Sequence, residues 1–569
     1  MSIEAFNFDS GINRKKSRLY LSEGEVYTCE GFNLDEDGML KARAAKTIGA
    51  AIDINSNSTI NGLHRYDTSI YASSKAYCPG NQAFFNYIYH RLNTGSAFTL
   101  LGFLHHYNRP RFADYEKFTF AVDGGTRKAY VEDNVYDFGI PNPQIAPQVV
   151  AGAAGNPNGE YTCYVTFYIK FPNGKTVETG PSDSATITVT SDMINWSRIA
   201  ICPYTGNDLM IHRRLYRTVS GTAYLVKTIQ DNTTTIYTDD VTDAVLQVST
   251  ALGTDGYTVP PSNPIDIAVY LQRIFLIKDN KLYWSEPYQP FNFLITSDVT
   301  VSKDNEDLVA IANWGDQIFV VSNEEWYRLQ GSDPDTWAIK RTFTDNGIIN
   351  RHTLKKSKYG LIGLWNDGVY IFDGSINRNI TLKKLGQSFF RDLDDLSVCY
   401  AEFDNTKYYL YYASSGTTID SCLVIDFTHH PEHRVYFDNF IADEDFIYKP
   451  SFTRYLAKDG YEYSESGTET IATELVTGDR GFQGITKHKC LDYLYYDIDT
   501  DGKDVTVNIL ADGTSVQTLT LNTSSRQRKR SPKLKAAEGY RFALQIACAD
   551  SQGLEIYSPW VLEATPVGD

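Results

Sequence analysis

The feature that most constrains this chain is a repeated hairpin. From about Pro260 onward one grammar recurs: an apolar strand, a short turn, and a second strand that often ends in aromatic residues. One unit, Ile265 to Glu286, reads IDIAVYLQRIFLIKDNKLYWSE. Comparable units run from Glu306 to Gly331, Lys358 to Ser375, Asn405 to His430 and, more weakly, Pro450 to Gly467. Asp-Gly and Asn-Asp-Gly turns are strong hairpin signals, because a tight primed turn needs positive φ. A turn-to-turn spacing of about 40–50 residues is the period of a four-stranded propeller blade. A sandwich would place turns every ~8–12 residues without the longer period. Upstream, Asn61 to Tyr77 and Glu116 to Ile140 read as two more units, the second with an Asp-Gly-Gly turn at Asp123. The expected fold is all-β, a propeller of about six or seven blades.

An interruption separates the first two units from the rest. It opens with PNPQIAPQVVAGAAGNPNG, a linker by composition. In the stretch that follows, Tyr161, Cys163, Val165, Phe167 and Ile169 alternate with their neighbours, which predicts a strand buried on one face. Pro172-Asn173-Gly174 reads as its hairpin turn, and more strands follow in IHRRLYRTVSGTAYLVKTIQ. This predicts an immunoglobulin or fibronectin-type sandwich inserted into the propeller. The tail, with CLDYLYYDID, DVTVNILADGTSVQTLTL and YRFALQIACAD, loses the blade grammar and reads as a small separate β-sandwich. The expected division is 1–140 and 261–484 for the propeller, 141–260 for the insert and 485–569 for the C-terminal sandwich. The best helix candidate is short, Gly386 to Leu396.

Composition narrows the function classes. The net charge of −17 argues against general nucleic-acid wrapping, which depends on Lys and Arg neutralising phosphates. It suits a surface that should not adhere to DNA. No run approaches the ~18 apolar residues of a membrane helix, and the N-terminus has no apolar signal core. Eight scattered cysteines, none in C-x-x-C, predict reduced buried thiols. Forty tyrosines and 29 phenylalanines against four methionines fit a pleated surface.

Five stretches carry chemistry-bearing residues. Ser285-Glu286 ends a strand among aromatics, but no histidine lies nearby in sequence and no G-x-S-x-G elbow occurs, so turn hydrogen bonding is expected. Ser332 to Trp337 is an imperfect copy of the sialidase Asp box: Pro334 stands where an aspartate belongs and Thr336 where a glycine belongs. His429, His430 and His433 have metal-ligand types, but Pro431 places them on a loop. Asp497, Asp499 and Asp501-Gly502 begin like a calcium loop, yet position twelve is Asn508 rather than a bidentate glutamate. Ser525 to Lys535 reads as the one dense basic patch; Arg526, Arg528, Lys529, Arg530, Lys533 and Lys535 are the expected contacts to a partner or to DNA. No catalytic, metal or cofactor residues are assigned.

Several phrases resemble the short-tailed bacteriophage tail nozzle and stabilisation proteins, similar to tail tubular protein B. They are Gly24-Glu25, Asn33, Asp37-Gly38, Leu40-Lys41 and Arg43 near the N-terminus, and Arg273, Leu282-Tyr-Trp-Ser-Glu286 and Phe291-Asn-Phe293 in a blade. In the insert they are Thr166, Gly174, Glu178, Pro181-Ser182 and Leu215-Tyr-Arg217. The family's Arg-Pro-Gly after the basic strand is here Arg43-Ala44-Ala45. The resemblance implies a non-enzymatic virion part, assembled in the host cytoplasm. It would be one subunit of a ring, six copies by analogy, below the portal and adaptor. Genomic DNA would pass through the ring, with tail fibre or tip proteins as neighbours. A carbohydrate-binding or glycan-degrading propeller is the competing expectation, and a monomeric propeller adaptor for protein ligands is a third.

Overall fold

The structure is a computed structural model. It describes residues 2–34, 39–52, 59–78, 83–92, 97–104, 108–302, 305–342, 344, 346–428, 430–448, 453–464, 470–482, 486–535 and 537–567. The chain divides into two compact units: residues 1–64, 323–326 and 342–569 form one, and residues 65–322 with 327–341 the other.

The fold is all-β, and each of the seven repeats lies on four consecutively paired antiparallel strands, a blade of the propeller type; five of these are separate four-stranded sheets, the third carries Tyr257–Thr258 as a fifth strand, and the sixth continues through Val26–Glu30 into a nine-stranded sheet. Blade 1 comprises Thr59–Tyr66, Ser69–Cys78, Ala83–Leu92 and Thr99–Leu104, and blade 2 comprises Arg111–Tyr115, Phe118–Val122, Arg127–Val131 and Asn134–Asp137. Blade 3 is Asp266–Tyr270, Arg273–Lys278, Lys281–Glu286 and Gln289–Thr300, and blade 4 is Leu308–Trp314, Gln317–Ser322, Trp326–Gln330 and Ala338–Arg341. Blade 5 is Lys355–Ser357, Gly360–Trp365, Gly368–Phe372 and Asn377–Asn379, and blade 6 is Tyr400–Phe403, Lys407–Tyr412, Ser421–Asp426 and Arg434–Asp438. Blade 7 has three consecutive strands, Glu444–Tyr448, Thr453–Lys458 and Tyr461–Ser464. Its fourth is Thr47–Ala51, from the other end of the chain.

Local chemistry explains the hairpins. Asp459-Gly460 turns with φ of 52° and 81°, the two positive angles of a primed turn. At other turns an aspartate caps the backbone: Asp123 Oδ1 accepts from the amides of Gly125 and Thr126, and Asp373 Oδ1 from those of Ser375 and Ile376. Central strands bury nearly every side chain, as in Phe118–Val122 and Gly368–Phe372.

The insert is a six-stranded sheet built on one long strand, Gln148–Lys170. The stretch expected to be a linker is therefore strand from Gln148 onward. Its amides and carbonyls pair with Ala185–Ser197, interrupted by register shifts between Ala151 and Asn158. The small residues fit that ladder. A Cβ on Gly152 would lie 2.7 Å from Asn195 Nδ2, and one on Gly155 2.5 Å from Met193 Cγ. On its opposite edge the second half, Cys163–Lys170, pairs with Met210–Val219, and Tyr168–Lys170 also pairs with Thr176–Glu178. The predicted alternation holds: Tyr161, Cys163, Val165, Phe167 and Ile169 are all buried. Two cores meet this strand. Cys163 and Val165 join Trp196 and Leu215, while Phe167 and Ile169 join Phe118, Phe120 and Phe291 of blades 2 and 3.

The C-terminal sandwich is larger than expected and takes in the chain's beginning. One of its sheets places Val26–Glu30 beside Thr473–Thr477, followed by Phe542–Cys548, Val505–Ala511 and Thr514–Leu521. The other sets Ser2–Phe6, Phe32–Leu34 and Leu40–Ala42 with Glu555–Pro566, Lys489–Asp499 and Gln527–Arg530. Residues before Ala45 thus belong to the sandwich rather than to the propeller, and the sandwich begins by Thr473. The shared core joins Phe6, Phe8, Val26 and Phe32 to Trp560, Leu562 and the buried residues of blades 5 and 6. The helix candidate shrinks to one turn, Ser388–Arg391.

Candidate functional site

Ser285 and Glu286 are structural. Ser285 is fully buried; its Oγ accepts from the Ile274 amide at 2.9 Å and donates to the Glu286 carbonyl at 3.1 Å. Arg273 donates to the Ser285 carbonyl at 2.7 Å and to Glu286 Oε1 at 3.2 Å, locking the strand end. A hydroxyl held this way is a ladder substitute, not a nucleophile.

The other motifs are engaged similarly. Asp497 is gripped by Arg526 through two bonds of 2.9 and 2.8 Å, and Asp499 Oδ1 accepts the Asp501 amide; the run is a turn, but not the expected hairpin, because Lys489–Asp499 and Val505–Ala511 belong to different sheets and the turn carries the chain from one to the other. The Asp-box-like segment is a turn in which Asp333 and Thr336 bond each other. Its Trp337 packs inward against Trp284 and Phe275. Seven described cysteines are free. Burial pushes the Cys29, Cys163 and Cys399 thiols up to about 12, which makes them unreactive.

The histidine cluster makes an aromatic stack. His430 lies 3.9 Å from the Tyr359 ring, His433 lies 4.6 Å from the Phe427 ring, and His430 Nδ1 is 3.1 Å from His433 Nε2. His429 falls outside the described residues. Burial, with His430 alongside, pushes His433 down to about 4 against the opposing pull of Asp426. An unfolded histidine takes a proton near pH ~6.5. Between there and pH 4 the unfolded chain binds a proton that the folded one refuses. Stability therefore falls as pH drops through that window, by about 1–2 kcal/mol after allowing for partial exposure. The expected result is that His433→Phe loses less melting temperature than the parent between pH 7 and pH 4.5. An equal loss in both proteins would contradict it.

The basic patch lies on an edge strand. Gln527–Arg530 pairs on one side with Lys489–Asp499 and is the last strand of its sheet. Arg526 is committed to Asp497 and stacks 3.7 Å from the Tyr557 ring; Lys533 lies 3.6 Å from Asp492. Arg530 stacks on Tyr493 at 4.2 Å. Arg528, Lys529 and Lys535 are exposed and have no ion pair among the described residues. The outward charge is thus smaller than the motif suggested. Cations on an edge strand also block unwanted strand pairing.

A second basic run was missed, although Arg14-Lys15-Lys16-Ser17-Arg18 was visible in the sequence. With Arg541 it lines an open hollow of about 500 Å³. Much of its charge is balanced: Lys16 pairs with Glu25, Arg18 with Asp479 and, at 3.9 Å, Arg14 with Glu30.

A further cleft, of about 400 Å³, opens between blades 3 and 4 within one unit. Trp337 forms one wall and is half-buried; the Trp284 ring meets it edge-on, with centroids 4.9 Å apart at 83°. Glu286, Asp298, Asp335, Thr296 and Ser297 supply polar groups. Lys281 Nζ bonds Asp298 Oδ2 at 2.5 Å, as Arg273 bonds Glu286 Oε1. The signal for this cleft was split between two repeats, so neither half was conspicuous.

The residues behind the phage-protein resemblance have identifiable jobs. Glu25, nearly buried, accepts from Asn13 at 2.9 Å and pairs with Lys384 at 2.9 Å. Burial alone would raise its pKa, but these bonds and the Ser22 amide hold it at about 2. Arg43 reaches Asn439 and Asp438, and Asn33 receives Lys407. In the insert, Glu178 gathers Thr166, Tyr216 and Arg214 at 2.6–2.7 Å, and Arg217 is buried with Asp239 at 2.9 Å. Asp37-Gly38 lies outside the described residues.

No family model matches the chain, and no curated protein matches it. Among solved structures, Sqt1 from Chaetomium thermophilum is similar at 9% identity and a TM-score of 0.31, over 74% of this chain and 100% of that one. An exo-beta-1,3-galactanase from Phanerochaete chrysosporium is similar at 9% identity and a TM-score of 0.21, over 91% of this chain and 100% of that one. Scores this low carry no argument about function.

Proposed function

We propose that this chain is a non-enzymatic structural subunit of a short-tailed phage tail nozzle, working as one of a ring of identical copies around a DNA-exit channel. The observation that supports this reading most is the role of the resemblance residues. Glu25, Asn33, Arg43, Arg273, Glu178 and Arg217 are fasteners of strands and segments, as a shape-holding part requires. Ser285, the one nucleophile type singled out, is consumed by backbone bonds. A net charge of −17 would keep passing DNA from adhering to the wall. In this reading the exposed Arg528, Lys529 and Lys535 meet an acidic surface of a neighbouring subunit, and adaptor and tail-tip proteins contact the ring's faces.

Light scattering of the purified chain followed by negative-stain imaging tests this. The expected result is a closed ring of 64.1 kDa subunits, six by analogy. Arg528→Glu with Lys529→Glu should shift the population toward monomer without moving the melting transition. A protein that stays monomeric at high concentration and cleaves polysaccharides would overturn the reading.

A further inference from the structure

The cleft of blades 3 and 4 has the components of a ligand site that the nozzle reading leaves unused. We infer that it is a binding site for a neutral saccharide, about one or two sugar rings in size, held without being cleaved.

The volume, about 400 Å³, is at the lower end of small-molecule pockets. Trp337 offers a flat apolar wall. Trp284 edge-on and Phe275 at 5.4 Å fix its ring, and the Arg273 guanidinium lies 5.8 Å from its centroid. A sugar ring presents an apolar C–H face to such a wall and hydroxyls at its rim. The rim here is acceptor-rich. Arg273 engages only Oε1 of Glu286, and Lys281 only Oδ2 of Asp298. Glu286 Oε2 and Asp298 Oδ1 are left without hydrogen bonds among the described residues, on carboxylates that the ion pairs hold in place. Ionised carboxylates accept short, strong bonds from hydroxyls. Ser297 adds an independent sign. It is 3% exposed and lines the cleft, yet its hydroxyl makes no hydrogen bond among the described residues. The hydroxyl itself opens to the cleft, where a ligand hydroxyl can bond it.

Charge selects the class. Glu286, Asp298 and Asp335 outnumber Arg273 and Lys281, so an anionic sugar or a phosphate would be repelled. The two acid–base pairs already neutralise Glu286 and Asp298 in part, which disfavours a cation as the natural occupant.

The test titrates the full chain with maltohexaose, cellohexaose, laminarihexaose and mannohexaose, followed by tryptophan fluorescence and saturation-transfer NMR. Sialyllactose and a tryptophan-containing peptide serve as the other probes. The expected result is saturable binding of at least one neutral oligosaccharide at millimolar concentration or better, with no shortened product. Ser297→Ala should weaken it roughly fivefold, the effect of one hydrogen bond, and Trp337→Ala should abolish it. Trp337 also packs inward, so Asp335→Ala on the exposed turn provides a variant that leaves the packing intact, with an expected loss of roughly threefold. Saturation by none of the neutral sugars, tighter binding of sialyllactose or the peptide, or unchanged affinity in Ser297→Ala and Asp335→Ala would overturn the inference. None of these outcomes bears on ring assembly, which is read separately by scattering.

Discussion

Arg454→Met is expected to be among the most damaging single substitutions in this chain, lowering the stability of its unit by about 3–5 kcal/mol. Arg454 lies in the second strand of blade 7, and its guanidinium donates to Asp445 on the first strand through Nε at 3.0 Å and Nη2 at 2.6 Å. It also donates to the Tyr411 hydroxyl of blade 6 at 2.9 Å and lies 3.8 Å from the Tyr409 ring. Tyr411 in turn donates to Asp445 at 2.8 Å. The side chain of Asp445 is fully buried and that of Arg454 is 9% exposed. Methionine fills much of the volume but strands a carboxylate in apolar surroundings. Asp445→Asn in the Arg454→Met background should recover part of the loss, because the uncompensated charge is then gone. Arg454→Lys should fall between, keeping the charge but losing the fork. With two compact units the chain should not melt in one step, so the reading is the calorimetric transition that moves. A shift worth less than about 1 kcal/mol would mean the pair contributes no more than a surface contact.

Trp560→Ala should be comparably severe, at about 3–5 kcal/mol, and should act at the chain's far end. Trp560 is fully buried; its indole N–H donates to the Asp497 carbonyl at 3.2 Å. Phe8 meets its ring at 6.1 Å and 74°, and Tyr496 lies 5.9 Å away. Phe6 is its register partner across the strand pair. The cavity would therefore loosen the attachment of Ser2–Phe6. Hydrogen exchange of the amides in that strand should accelerate by roughly two to three orders of magnitude, while strands of blades 2 and 3 stay protected. Unchanged exchange in Ser2–Phe6 would show that the strand is held by its ladder alone.

The sequence conveyed what depends on near neighbours. Asp-Gly turns, capping aspartates and the alternation from Tyr161 to Ile169 act over a few residues; Asp459-Gly460 and the capped turns at Asp123 and Asp373 mark real hairpins and the alternation a buried face, whereas Asp501-Gly502 joins two different sheets. It hid what depends on distant pairing. Nothing local tells Ser2 that its partner is Ala564, or Thr47 that its partner is Ser464. The run from Gln148 to Gly159 carried a linker's composition because its glycines and alanines serve close strand contact, and composition cannot distinguish the two uses. The candidate site was legible only in halves. Trp337 attracted notice as part of a failed Asp box and Glu286 as part of a failed dyad; only the packing of blade 4 beside blade 3 sets them in one cleft.

The crossing of Thr47–Ala51 into blade 7 has a consequence for how the protein is made. A ribosome adding ~5–20 residues per second needs roughly 20–80 s after releasing this strand before its partner emerges. The strand at Ser2 waits longer still. Through that interval the nascent chain carries strands whose partners have not yet been made, so these sheets close only late in synthesis. A chain cut short before Glu555 would leave Ser2–Phe6 without the strand it pairs with.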